Sequence, residues 1–130
     1  MELHRVESVE WTAAGSEHFT GAVWVGRLTP ADGSGVRVTA VRFEPGARSD
    51  WHTHQEGQIL HCLSGAGRAG TGDGRVLEMR PGDLLHSPPG ERHWHGAADD
   101  TPMMHLSFTA GIRVAWAPEK VTDEEYHRAD

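Results

Sequence analysis

Residues 45–65, PGARSDWHTHQEGQILHCLSG, decide how the rest of the chain is read. They set His52 and His54 one residue apart. In a β-strand alternate side chains share a face, so these two imidazoles point the same way while Thr53 points to the other. A pair placed like that can hold one ion. The polar turn Gln55-Glu56-Gly57 then reverses the chain and brings in Gln58 as an oxygen donor at the start of the next strand. A second stretch, residues 81–97, PGDLLHSPPGERHWHGA, offers His93 as a fourth donor and, on the same face by the period of two, His95. Trp51 and Trp94 point away by the same parity.

A chain of 130 residues suits one domain, 1–130, long enough to bury a real core. With 37% hydrophobic and 24% charged residues, 16 glycines and 7 prolines, it suits short strands and tight turns better than a helical bundle. The expected fold is all-β, a single antiparallel barrel or jelly roll. No apolar run approaches the ~20 residues that span a bilayer, and the start, MELHRVESVE, is too charged for a secretory signal, so a cytoplasmic protein without a membrane partner is expected. Twelve basic against 19 acidic residues, a formal charge of −7, argue against nucleic acid. Cys62 is the one cysteine, which excludes an internal disulfide and reads as a small buried hydrophobe.

Residues 1–16 read as an N-terminal arm or edge strand. Its apolar Val6, Val9 and Trp11 would be buried by exchange between copies, so a homodimer or higher homo-oligomer is expected. Residues 19–28 read as a strand and 30–35, PADGSG, as a turn. Residues 36–43 alternate, with Arg37, Thr39, Val41 and Phe43 on one face and Val36, Val38, Ala40 and Arg42 on the other; parity leaves open which is inside. If Gln58 is a ligand, then Leu60, Cys62 and Ser64 face inward with it and His61 outward. Residues 68–79 read as a hairpin turning at 71–74, where Gly72 and Gly74 can take positive φ. His86 reads as packed or exposed. Residues 103–109, MMHLSFT, carry a polar face with His105, Ser107 and Thr109, and a core-like face with Met104, Leu106 and Phe108. Thr122-Asp123-Glu124-Glu125 is a capping box that starts a short helix, running to about residue 128.

The two histidine stretches also match known patterns. Gly46, His52, His54, position 58 and Gly65 fit G-x5-H-x-H-x3-E-x6-G, with glutamine where the pattern has glutamate. Gly82, Pro88, Gly90 and His93 fit G-x5-P-x-G-x2-H-x3-N, with Ala97 in place of asparagine. These are cupin motifs, and the chain resembles cupins. The wording FEPGAR, the Gln58 replacement, PGERHWHGA, His105 and VTDEEY resemble more narrowly the small manganese-containing cupins that act as hydroxynitrile lyases. The resemblance implies a metal-binding barrel core over 36–109 and a short helix over 122–128. It implies one divalent ion, Mn(II) favoured over Fe(II), Ni(II) or Zn(II), and a small-molecule substrate walled by Thr39, Val41 and Leu60. It further implies cyanohydrin cleavage to an aldehyde and cyanide, with His105 or His95 as catalytic base.

The residue chemistry fits such a site. Three imidazoles and an amide buried without partners would each cost about 1–3 kcal/mol, a cost an ion removes. Imidazole and amide oxygen suit divalent first-row metals, and four protein donors leave open places for substrate. A neutral Gln58 leaves the ion's charge uncompensated. That sharpens Lewis acidity and disfavours a trivalent state, which counts against the alternative of an oxygen-dependent dioxygenase. Against a second alternative, a non-catalytic metal-bearing module that binds a small ligand, stand His95 and His105, imidazoles suited to acid–base work. If neither is a base, they orient the ligands.

Overall fold

The computed structural model describes residues 1–29 and 35–128. All of the turn expected at 30–35 except Gly35 lies outside the described residues. In chain order the strands are β1 Thr12–Ala13, β2 Phe19–Thr20, β3 Val23–Arg27, β4 Arg37–Phe43, β5 Arg48–Ser49, β6 His52–His54 and β7 Gln58–Gly65. They continue as β8 Gly67–Thr71, β9 Val76–Met79, β10 Leu84–Ser87, β11 His93–Ala97, β12 Met103–Thr109 and β13 Val114–Trp116, followed by the helix α1 Asp123–Tyr126. The strands form two antiparallel sheets. One runs β1-β3-β4-β12-β7-β10 and the other β13-β6-β11-β5-β2, with β8 added on β11 and β9 on β8. The architecture is the all-β jelly roll that the composition and turn spacing imply.

The two inner faces meet over Val23, Val41, Phe43, Leu60, Cys62 and Met103, all buried. This settles the parity that β4 leaves open, since Val41 and Phe43 face in. On β12 the outcome is less intuitive. The polar parity is the inner one, with His105 fully buried, while Met104, Leu106 and Phe108 are only half-buried on the outside. A face that reads as core is outer because the barrel is built around a polar site.

The expectation that Ser64 faces inward with Cys62 fails for a local reason. Between Met104 and His105 the ladder shifts by one: Met104 lies opposite Ser64, but His105 lies opposite Cys62, leaving Leu63 without a partner. This bulge on β7 turns Ser64 outward, where it is exposed, and keeps Gln58, Leu60 and Cys62 inside. The 68–79 hairpin forms, with the Thr71 amide donating to Arg75 O at 2.9 Å; of the two glycines in its turn only Gly74 takes positive φ.

Behind β11 lies a second cluster, Trp51, Trp94, Val121 and Tyr126, capped by α1. Gly70 sits opposite Trp94, and a Cβ there would collide with the indole. The capping box is made in full: Thr122 Oγ1 accepts from the Glu125 amide at 3.1 Å, and Glu125 Oε1 accepts from the Thr122 amide at 2.9 Å. The helix is one turn, shorter than expected, and Tyr126 at its end is anchored: its hydroxyl donates to Ala97 O, and the Arg48 and Arg68 guanidinium groups stack on its ring. The N-terminal arm supplies a short 3-10 turn, Val6–Ser8, and strand β1; its Val9 packs closely on Gly26 of the same chain. Among the described residues no helix is long and apolar enough to cross a membrane.

Candidate metal centre

Strand pairing brings the two histidine stretches together, as β6 lies beside β11 with His52 directly opposite His93. Each ring has a fixed outer partner. His52 Nδ1 donates to the Asp50 carbonyl at 2.8 Å, and His93 Nδ1 lies 3.0 Å from the Glu91 carbonyl, with Ser87 Oγ 3.1 Å away. A carbonyl only accepts, so His52 Nδ1 carries the hydrogen; His93 has an acceptor at each nitrogen, Glu91 O and Gln58 Oε1 both at 3.0 Å, and a neutral ring has one hydrogen for the two. Burial lowers both pKa values from 6.5 and keeps the rings neutral, which leaves His52 Nε2 a bare lone pair. Second-sphere carbonyls of this kind orient metal-binding histidines.

Gln58 completes the arrangement. Its Nε2 donates to Ser107 Oγ at 2.8 Å, which aims Oε1 at His93 Nε2, 3.0 Å away. With the His93 hydrogen on Nδ1 this contact sets two lone pairs face to face, which repel unless a cation lies between them. Two donors each about 2.1 Å from one ion and at right angles to each other stand about 3 Å apart. The buried Nε2 atoms of His54 and His95 likewise have no partner. The donor set therefore fits a divalent ion.

The tightest histidine group is His52, His93 and His95, whose ligating atoms all lie within 4.8 Å of one another. His54 stands outside that trio, its ring 5.1 Å from His52 and 5.8 Å from His93. Its pKa falls to about 4, mainly through burial and then through His93. His95 and His105 form a pair: His105 Nε2 and His95 Nδ1 are 3.1 Å apart, sharing one hydrogen. His95 is lowered well below 6.5 by burial first and by the neighbouring histidines second, and burial pushes His105 down to about 4.

A cavity of about 180 Å³ opens over these groups. Thr39 and Val41 line it, as do His52, His54, Gln58, His95 and His105. Leu60 borders a different, smaller cavity of about 80 Å³, which it shares with His93, Ser87 and the exposed His86. Sequence reasoning left several wall residues unassigned. Trp116 lies over His52 with ring centroids 4.7 Å apart and stacks on His18 at 4.2 Å, and Phe19 stands beside it. Ser107, which orients Gln58, was signalled only by sharing the strand face of His105. Ser49 Oγ accepts from the His95 amide at 3.1 Å; no motif marks it.

Comparison with known proteins agrees with this fold. Residues 39–109 match the Cupin domain family model. The chain is 45% identical over 132 residues to a protein of Granulicella tundricola named (R)-mandelonitrile lyase, covering 98% of this chain and all of that one. A cupin-like protein from Thermotoga maritima superposes with a TM-score of 0.86 at 36% identity, over 91% of this chain and 92% of that one. The polyketide cyclase RemF of Streptomyces resistomycificus shares the fold, with a TM-score of 0.78 at 18% identity over 97% of this chain and 90% of that one. With a matched family model over more than half its length and two relatives above one-third identity, the chain belongs to the cupin family.

Proposed function

We propose that this cupin is a metal-dependent lyase that cleaves aromatic cyanohydrins to an aldehyde and hydrogen cyanide and catalyses the reverse addition. The observation that carries the reading is the His95–His105 pair, set beside bare lone pairs at the floor of one cavity. The relative named (R)-mandelonitrile lyase, 45% identical, supports it. His52, His54, Gln58 and His93 would hold the ion, manganese favoured, and the trio geometry makes His95 a fifth nearby donor. When bound, the ion would supply Lewis acidity toward the substrate oxygen.

The chain's own residues do the rest. The histidine pair takes the hydroxyl proton, with His105 as base, and the hydrogen can pass between His105 Nε2 and His95 Nδ1 across 3.1 Å. The electrons of the O–H bond form the carbonyl, the carbon–carbon bond breaks, and cyanide leaves with that pair and recovers the proton. Because burial pushes His105 down to about 4, its neutral, proton-accepting form persists at mildly acidic pH. An apolar cavity of about 150 Å³ accepts benzene, so about 180 Å³ lined by Val41, Phe19 and Trp116 has room for an aryl ring. Manganese-loaded protein should release benzaldehyde from mandelonitrile. A rate no faster than free manganese at mildly acidic pH overturns the assignment.

A homodimer belongs to the same proposal. Trp24, Ile59 and Leu84 are exposed on the outer side of the first sheet, beside half-buried Met104, Leu106 and Phe108, an apolar face that a second copy would cover. Light scattering near 14.2 kDa at micromolar concentration contradicts it.

A further inference from the structure

Between the N-terminal arm and strands β3 and β4 runs a groove of about 790 Å³, the largest concavity described. It shares Val25, Arg37 and Thr39 with the metal cavity, so the two adjoin across these residues. Arg5, Arg27 and Arg37 line it, against Glu10 as the one carboxylate in the lining among the described residues. The arginines elsewhere behave differently. Of 11 in the chain, Arg42, Arg48, Arg68, Arg75, Arg80, Arg92 and Arg113 each pair with a carboxylate among the described residues. Three of the four that do not are the three in this groove. In a chain of charge −7, three guanidinium groups that make no ion pair among the described residues, collected at one mouth against one lining carboxylate, favour an anion there.

We propose that Arg37, with Arg27 and Arg5 outside it, forms an anion-recognising rim that selects substrates carrying a carboxylate at the end remote from the reacting carbon. The proposal rests on the reading that the cavity holds the substrate. Its geometry follows from strand register. Thr39 lies opposite Ser107, the residue that holds Gln58, and Arg37 lies opposite Thr109, one same-face step toward the mouth. Same-face neighbours on a strand are about 6.6 Å apart, comparable to the span of a para-substituted ring. A ring seated against Val41 and Thr39 with its polar carbon at the donor set thus directs its para position at Arg37. Arginine's planar fork meets a carboxylate with two hydrogen bonds, which gives direction as well as charge.

The test is binding to the full-length, metal-loaded protein without cyanide, comparing 4-formylbenzoate with 4-methylbenzaldehyde by calorimetry. The formylbenzoate should bind about tenfold or more tightly, the range of one charge-assisted pair. About 0.5 M salt should reduce the preference. Arg37→Gln should bring the ratio of the two affinities to about one, Arg37→Lys should keep part of it, and Arg27→Gln should lower it less. Equal affinities in the wild type, or a preference that survives Arg37→Gln in protein with unchanged metal content, overturns the rim. A retained preference in a protein that never turns over mandelonitrile sinks the lyase reading and leaves the rim standing; turnover without preference does the reverse.

Discussion

The two faces of β11 make opposite use of polar atoms. Toward the cavity, His93 meets acceptors at both nitrogens with one hydrogen to give, and His95 Nε2 has no partner. On the reverse face, Trp94 is sealed between Gly70 and Tyr126, whose ring centroid is 5.7 Å away, and the Tyr126 hydroxyl has its acceptor. The same strand thus carries an unsatisfied face and a satisfied one. Frustrated polar groups persist only where their surroundings over-determine them, so the packed reverse side is what holds the cavity side in a costly arrangement.

The largest break in this contrast should come from His52→Ala or His93→Ala. Losing an outer partner of a metal ligand already costs about 10–100-fold in affinity, and removing the ligand itself should cost more. Gln58→Ala should cost less, imidazole being the stronger donor; equal metal content in the three dialysed variants, by elemental analysis, contradicts this ligand set. Next comes His105→Ala, which should lower turnover by about 10²–10⁴ with metal content unchanged. If that variant keeps full rate, the base is elsewhere.

On the reverse face, Trp94→Ala should destabilise the fold by about 3–5 kcal/mol, and Tyr126→Phe, which leaves the Ala97 carbonyl buried without its donor, by about 1–3 kcal/mol. Both are read by denaturant titration. Tyr126→Phe should retain stoichiometric metal; losing it would mean that the two faces are not separable. A further test is of pH on the metal-free protein. His52, His54, His93, His95 and His105 are held neutral when folded but protonate near 6.5 when unfolded. Below that value the unfolded chain binds more protons, so stability falls as pH drops from about 6.5 toward the folded values near 4 of His54 and His105. A Tm at pH 5 equal to that at pH 7 contradicts this, a drop of about 5 °C or more being expected.

Period-two reasoning finds what depends on alternation alone: that His52 and His54 share a face and that Trp94 faces away from His93; the Thr122–Glu125 cap is legible separately, from a local spacing of three. It could not say which face of β4 is inner, because both carry apolar and polar residues. The face of Met104, Leu106 and Phe108 reads as core-like by composition, yet it is the outer one, and the inside of β12 is the polar face that carries His105. Hydrogen placement was also out of reach. The tautomer of His52 is fixed by the carbonyl of Asp50, and no side-chain pattern encodes a backbone oxygen.

The unpaired Leu63 bears on how such chains tolerate gain and loss of residues. It sits between Cys62 and Ser64, which already lie opposite successive residues of β12. Deleting Leu63 would therefore give an unbroken ladder with every remaining side chain on its present face. The spacer between Gln58 and Gly65 is elastic there by one position, and related chains that differ by one residue at that point can keep the same site. A scan that replaces side chains one at a time would not detect this freedom, because it resides in chain length and not in any side chain.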